Sequence, residues 1–308
     1  MQKTYDIIIV GAGPAGLTSA LYARRAGKTV LLIEKESFGG QIVLSPLVEN
    51  YPMSEPASGM GLVDKLVSLV MSLGAEVEVD TVVAVKKNDD GTIAVKTEYS
   101  DFTARALIIA TGLKHKRLGV ENEERFIGNG ISFCALCDGN FYKNRAVAVI
   151  GGGNTAVQDA IYLSKICSRV YLIHRRDRFR AEQHVVDGLA ACENVEQVMN
   201  SRVIAINGDK HIESITVMNT ESNSERVLEV SGIFAAVGQE PSNQAFGDLV
   251  ELDSAGFVVA GESCTTREPN VFVAGDCRTK TVRQLVTAGA DGGVAAIAAC
   301  EYLDRQEK

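Results

Sequence analysis

The chain has 308 residues, 46 % hydrophobic and 23 % charged, enough to bury a sizeable core and, at roughly 150 residues per domain, to form two domains. Its formal net charge of −8 offers no basic stripe, so neither nucleic acid nor an anionic membrane is an expected partner. No apolar run approaches a membrane span, and seven cysteines with only Cys134 and Cys137 closely spaced fit a reducing, cytoplasmic setting better than a disulfide framework.

Met1 to Lys3 lead into a short apolar strand expected over Asp6–Val10, too short for a signal segment. It ends on Gly11-Ala12-Gly13-Pro14-Ala15-Gly16, a helix follows to about Gly27, and a second strand covers Thr29–Glu34. In this setting Gly11 makes the turn, Gly13 lets the backbone approach a pyrophosphate, and Gly16 lets the helix pack on the strand. The phosphates sit at the bare N–H groups of the helix start. Glu34 closes the second strand, where a carboxylate accepts hydrogen bonds from an adenosine ribose. Alternating segments Val77–Val85 and Ile93–Thr97, joined at Asn88-Asp89-Asp90-Gly91, predict a hairpin. The apolar strand Ala106–Ala110 then ends on Thr111-Gly112, and Lys114-His115-Lys116 reads as a short crossing.

Next comes Cys134-Ala-Leu-Cys137-Asp138-Gly139. Two intervening residues let the sulfurs meet, so the pair can cycle between dithiol and disulfide, and the first thiol of such a pair often ionises near pH 7 or below. The opening plan then repeats: strand Ala146–Ile150, turn Gly151-Gly152-Gly153-Asn154-Thr155-Ala156, helix to about Lys165, strand Arg169–Ile173. The second strand now ends on His174, Arg175 and Arg176, with Arg180 close behind. Guanidiniums grip a 2′-phosphate where a carboxylate would repel it, so this site, opened by Gly153, Asn154 and Thr155, is expected to prefer NADPH. Segments Val203–Asn207 and Ser214–Asn219 predict another hairpin, and strand Ile233–Val237 closes the copy on Gly238. After a crossing at Gln239-Glu240-Pro241, a strand Val271–Ala274 ends on Gly275-Asp276, and a helix of small residues runs from about Leu285 to Leu303.

The expected fold is α/β: two Rossmann-like, three-layer dinucleotide-binding domains, the second inserted into the first. Residues 1–114 and 245–308 would form the outer domain, and 115–244 the insertion. The acidic site suits FAD and the arginine site NADPH. A nicotinamide donates hydride while a disulfide takes two electrons through thiolates, and a flavin couples the two.

Cys134-Ala-Leu-Cys137-Asp138-Gly139 and His174-Arg175-Arg176-Asp177-x-Phe179-Arg180 stand beside Gly39-Gly40-Gln41, Glu49-Asn50-Tyr51-Pro52, Ala110-Thr111-Gly112, Ala274-Gly275-Asp276 and Arg283-Gln284. Over essentially its full length the chain resembles the low-molecular-weight, bacterial-type thioredoxin reductases, class II pyridine nucleotide-disulfide oxidoreductases. The resemblance implies that FAD contacts Gly11, Gly13, Pro14, Ala15, Glu34, Lys35, Gly40, Gln41, Asn50, Val83, Ala110, Thr111, Gly112, Gly275, Asp276, Arg283, Gln284 and Leu285. It places Asp276 at the ribityl or phosphate region and the helix after Gln284 with its N-terminus towards the flavin. It makes Cys137 the sulfur that faces the flavin, Cys134 the sulfur that attacks the partner's disulfide, and Asp138 the acid/base. It also implies a homodimer, thioredoxin or a similar small dithiol protein as partner, no metal, and rotation of the inserted domain between half-reactions.

The chain departs from the pattern in places. Leu136 replaces a common Thr, while Asn129 and Asn140 stand where Arg and Phe are common on the partner-gripping surface; Phe141 remains. Cys277 replaces a small apolar residue and, like Cys167, Cys192, Cys264 and Cys300, reads as a packed thiol. His115, His184 and His211 read as superficial. Competing readings are the same relay serving another dithiol carrier, a dithiol oxidase that would not need the arginines, and a non-catalytic flavin-binding sensor.

Overall fold

The computed structural model describes residues 4–52 and 54–307; the Met1–Lys3 lead lies outside them. In chain order the elements are β1 Thr4–Val10, α1 Pro14–Arg25, β2 Val30–Glu34, α2 Gly59–Ser72, β3 Glu76–Val79, β4 Val82–Lys87, β5 Ile93–Thr97, β6 Asp101–Ile109 and β7 Leu113–His115. There follow α3 Glu123–Phe126, β8 Ile131–Ser132, α4 Ala135–Asp138, β9 Ala146–Gly151, α5 Asn154–Ser164, β10 Arg169–Ile173, α6 Gln183–Asp187 and β11 Val195–Val198. The rest are β12 Ser201–Asn207, β13 Ser214–Asn219, β14 Glu225–Glu229, β15 Gly232–Ala236, β16 Gln239–Pro241, β17 Val271–Val273 and α7 Leu285–Gln306. Two compact units emerge: unit 1 is 1–114 with 240–308, and unit 2 is the inserted 115–239.

Unit 1 is built on parallel strands β3-β2-β1-β6, with β17 alongside the C-terminal half of β6. The antiparallel hairpin β4–β5 pairs with the N-terminal half of that same long strand. Ile7, Ile8 and Ile9 of β1 are completely buried, as strands covered on both faces require. Alternate residues serve two cores. Ile7, Ile9, Leu32 and Ile108 pack with α1, α2 and α7, while Ile8, Val10, Leu31 and Ile109 pack with Val85, Val95 and Phe246.

Unit 2 repeats this with parallel order β11-β10-β9-β15-β8 and a separate antiparallel sheet β12-β13-β14. Val147 and Val149 face α5 and α6; Ala148 and Ile150 face the antiparallel sheet. The crossing segments β7 and β16 pair with each other as a two-stranded ribbon.

The structure amends several expectations. The segment expected over Val77–Val85 is two strands, because Asp80 turns the chain. Its N–H donates to the Glu34 carbonyl, and its carboxylate accepts the N–H groups of Thr81 at 2.7 Å and Tyr99 at 3.2 Å. Residues 240–244 lie in unit 1 rather than with the insertion. There Asn243 is fully buried, accepts from the Thr111 hydroxyl at 2.8 Å and donates to the carbonyls of Gly256 and Cys277. Strands β8, β11 and β14 and helices α2, α3, α4 and α6 are additions. No helix among the described residues is long and apolar enough to cross a membrane.

Candidate active site

In unit 2, β8 pairs with β15 through Ile131 and Ser132, so the chain leaves the sheet one residue before Cys134. Cys134 and Cys137 form a disulfide with their Cα atoms 5.3 Å apart. Cys134 precedes the single turn of α4, and its sulfur accepts the N–H of Cys137 at 3.2 Å. The turn lies close on α5: a methyl at Gly139 would stand 3.0 Å from Leu163 and 3.2 Å from Tyr162. Both cysteines are half-buried. Asp138 accepts a 2.6 Å hydrogen bond from the Ser132 hydroxyl, while its Oδ1 is buried with no partner. Burial pushes its carboxyl upward, against the pull of that hydrogen bond.

Ser132 also accepts the Cys134 N–H at 3.0 Å, and is a site residue the sequence reading missed; its only signal is a hydroxyl two places before the first cysteine. Around the pair, Leu136 is 56 % and Phe141 38 % exposed, with Asn140 also exposed. Asn129 is exposed as well, its amide donating to the Lys210 carbonyl at 3.1 Å.

His115 is not superficial. Its ring stacks on Phe133 with centroids 4.2 Å apart, and the Gln239 amide lies 3.2 Å from Nδ1. Burial, helped by nearby Arg117, pushes its pKa down to about 4. His184 and His211 are exposed. Cys277 is fully buried, and burial pushes its thiol upward.

The glycine turn of unit 2 wraps tightly. Gly151 has φ +156°, and a methyl there would lie 2.3 Å from the Ala236 carbonyl oxygen. Gly152 lies over the His174 ring, which leaves 2.2 Å for a methyl, so His174 sits beneath the turn, 5 % exposed, with Nε2 unpartnered. Burial first, and then Arg180, Arg176 and Arg175, disfavour protonation of this ring. Gly153 begins α5 in extended conformation with no capping side chain, leaving the first N–H groups free for an anion. Asn154 and Glu182 exchange two hydrogen bonds, tying the loop after β10 to the helix start, and Thr155 is exposed beside them. Arg175, Arg176 and Arg180 are exposed; the side-chain ion pairs of the described residues include none of them.

Unit 1 holds the matching cradle. Gly11 has φ +105°, with 2.3 Å for a methyl against the Ala110 carbonyl oxygen, and Gly16 has 1.8 Å against the Gly11 carbonyl oxygen. Gly13 begins α1 uncapped, with Pro14 in its first turn. Gly40 lies close to the Gly13 backbone, and Gly275 to Ala15. Glu34 is 8 % exposed, its carboxylate accepting the N–H groups of Ala12 at 2.7 Å and Glu36 at 3.0 Å. Lys35 and Lys114 share Glu36, at 3.8 and 3.4 Å. Gln41 donates to the Leu113 carbonyl, next to Gly112.

Asp276 has its Oδ1 buried and unpartnered, and burial raises its carboxyl. The Arg283 guanidinium lies 4.5 Å over Phe257 and donates to the Asp276 carbonyl. Gln284 caps α7 just before Leu285 and accepts from Asn50 at 3.3 Å. Val83 stands apart from these contacts, at a bulge in β4, 45 % exposed.

Among the described residues, three buried side-chain polar atoms lack any hydrogen-bond partner: one each on Asp138, His174 and Asp276. Such atoms are rare in a folded protein and are satisfied by a ligand, an ordered water or a chemical role.

The family model for pyridine nucleotide-disulphide oxidoreductases matches residues 5–292. A thioredoxin reductase of Listeria innocua is 42 % identical over 307 residues, covering 98 % of this chain and 95 % of that one. One of Treponema pallidum is 36 % identical, covering 99 % of each. The crystal structure of thioredoxin reductase from Streptococcus pyogenes superposes with a TM-score of 0.94 at 34 % identity, covering 99 % of this chain and 100 % of that one. Thioredoxin reductase from Giardia duodenalis gives 0.91 at 32 % identity, covering 98 % and 100 %. The chain belongs to the thioredoxin reductases of the pyridine nucleotide-disulphide oxidoreductase family, flavoprotein enzymes that use FAD and NADPH.

Proposed function

We propose that the protein reduces the disulfide of thioredoxin with electrons from NADPH, carried through FAD and the Cys134–Cys137 pair. The carrying observation is that the three unpartnered buried polar atoms fall on the three groups this relay needs: Asp138 at the disulfide, His174 at the arginine site and Asp276 at the acidic site. The residues fit both cofactors. In unit 2 the bare start of α5 and the exposed Arg175, Arg176 and Arg180 would hold the pyrophosphate and 2′-phosphate of NADPH. In unit 1 the bare start of α1, Glu34, the Gly40–Gln41 loop, Asp276, Arg283 and the start of α7 would hold FAD. Bound FAD supplies a two-electron carrier between hydride and thiolate chemistry.

In the dithiol form, the Cys134 thiolate attacks the partner's disulfide. A mixed disulfide forms, the partner's S–S bond breaks, and the departing thiolate takes a proton from Asp138. Cys137 then gives its proton to the Asp138 carboxylate and attacks the Cys134 sulfur, and the partner's second thiolate leaves and takes that proton. The partner gains two electrons and two protons, and the Cys134–Cys137 disulfide is restored. Burial, by raising the Asp138 carboxyl, favours its protonated, proton-donating form.

The pair and the NADPH site both lie in unit 2, while the flavin cradle lies in unit 1, and reacting atoms must approach within about 3–3.5 Å. We therefore assign a rotation of unit 2 about its two crossings between half-reactions. Homodimer assembly through unit 1 is supported by Val286, Val294 and Ile297, which α7 leaves exposed, with Tyr22 of α1; sedimentation equilibrium tests it. Cytoplasmic residence is supported by the five free cysteines, and fractionation tests it. A second reading, another small dithiol protein as partner, is favoured by the exposed Asn129 and Asn140, where the family commonly has Arg and Phe.

The purified protein should be yellow and bleach with NADPH, with oxidised thioredoxin restoring the colour. Cys134→Ser should still bleach but pass no electrons onward, and a cross-link between the units should stop turnover with FAD retained. Bleaching without recovery on thioredoxin, but with recovery on another dithiol protein, selects the second reading. A protein that binds no flavin overturns both.

A further inference from the structure

Ser132 ends β8, is 6 % exposed, and belongs to neither glycine turn. Its hydroxyl meets three groups: Asp138 Oδ2 at 2.6 Å, the Cys134 N–H at 3.0 Å and the Cys134 carbonyl oxygen at 3.3 Å. A hydroxyl has one hydrogen and two lone pairs. One lone pair takes the Cys134 N–H in any state. While Asp138 is ionised, the hydrogen goes to its carboxylate, the shorter and charge-assisted contact. When Asp138 is protonated, its own O–H can donate to the second lone pair, and the Ser132 hydrogen turns to the Cys134 carbonyl. Both protonation states are thus fully hydrogen-bonded at this hydroxyl.

Two further features make Ser132 more than a packing residue. It is the hydrogen-bond donor to the Asp138 carboxyl among the described residues, since Oδ1 has none. It also binds the same backbone that carries the attacking sulfur, so carboxyl and cysteine are held by one atom. Of the titratable groups around Asp138, Tyr142 from the turn after α4 senses its charge, with Arg145 and Cys167 beyond; α5 carries Asp159 and Tyr162. Of these, Arg145 alone is a fixed cation, and its charge acts on Tyr142.

We propose that Ser132 is the positioning residue of the thiol exchange: its hydroxyl holds the Asp138 carboxyl against the Cys134 backbone and redirects its hydrogen as that carboxyl loses or regains a proton. The inference rests on Asp138 as the acid/base of the proposed function. No electron passes through Ser132. In the step it serves, the O–H bond of Asp138 breaks, an S–H bond forms on the departing thiolate, and the Ser132 hydrogen turns from the Cys134 carbonyl to the new carboxylate.

The test uses the FAD-loaded enzyme and Ser132→Ala, Ser132→Thr and Asp138→Asn, with flavin bleaching by NADPH as the control for folding. Reoxidation by thioredoxin is followed across pH 5.5–9 (roughly the range set by thiol and raised carboxyl titration). Ser132→Ala should shift the carboxyl limb of the profile up by about one pH unit and slow the maximal rate about tenfold, the loss of one hydrogen bond to a charged group. Ser132→Thr, which restores a hydroxyl, should recover the parental profile. If Ser132→Ala leaves the limb in place, or both substitutions slow the step equally without moving it, the proposal falls. Asp138→Asn separates the two claims: if it retains limb and rate, the acid/base assignment itself fails; if it abolishes the limb while Ser132→Ala does not move it, only the role of Ser132 fails.

Discussion

Units 1 and 2 lay the same five parallel strands side by side, β3-β2-β1-β6-β17 and β11-β10-β9-β15-β8, yet finish two strand ends differently. β2 ends on Glu34, nearly buried, its carboxylate tied to the glycine turn through the Ala12 N–H. After β10, His174 is tucked beneath the turn and three guanidiniums stand in solvent. On the proposed assignment, a common backbone would accept nucleotides of different charge by changing only what terminates its second strand. The fifth place is also filled from opposite directions. In unit 1 it is taken by β17, after the insertion, which delivers Gly275 and Asp276; in unit 2 by β8, before the first strand of its copy, which delivers Cys134, Cys137 and Asp138. Both arrivals leave a carboxyl oxygen buried without a partner.

The largest expected effect would break the electrostatic half of this comparison. Arg175→Ala with Arg176→Ala removes two charge-assisted contacts, each worth about 1.5–3 kcal/mol. The KM for NADPH should rise on the order of 10²–10⁴-fold, with the KM for NADH and the FAD content unchanged. Equal losses with both nucleotides would refute a 2′-phosphate site in unit 2.

The next tests the packing of the two turns. At Gly16 a methyl would meet the Gly11 carbonyl oxygen at 1.8 Å, whereas the corresponding residue of unit 2 is already Ala156, fully buried. Gly16→Ala should cost about 3 kcal/mol and deplete FAD, while Ala156→Gly should cost only about 1 kcal/mol, a helix-propensity effect. Urea melts with flavin absorbance distinguish them; similar losses at both positions would mean the two turns are packed alike.

The smallest concerns the same helical position in each copy. In α1, Ser19 is fully buried, its one hydroxyl hydrogen shared between the carbonyls of Ala15 at 2.9 Å and Gly292 at 3.0 Å. In α5 that place is Asp159, whose carboxyl burial pushes from 3.8 up to about 7. Well below pH 3.8 this group is protonated in folded and unfolded chains alike and has no effect. As pH rises to about 7 the unfolded chain ionises freely while the fold resists, so stability falls across that window. Asp159→Asn should raise Tm by roughly 3 °C at pH 8 and by much less at pH 4; scanning calorimetry at the two pH values decides, and a gain of equal size at both would remove ionisation as the cause.

What the amino-acid order determined by itself was whatever depends on neighbours in the chain. Both glycine turns, Glu34 against His174-Arg175-Arg176, and the Cys134–Cys137 spacing are local patterns. Each constrains a few consecutive backbone torsions or places charge at one strand end. The tertiary structure decided what depends on distant partners. β8 is two residues long and carries no periodicity; it is a strand because β15 lies beside it. The run expected over Val77–Val85 breaks at Asp80 because Thr81 and the remote Tyr99 bind its carboxylate. His115 is half-buried because Phe133 is there to stack on. Asn243 holds its stretch in unit 1 through Thr111, Gly256 and Cys277. Ser132 became legible only when the end of β8 and the end of α4 were brought within 2.6 Å of one another.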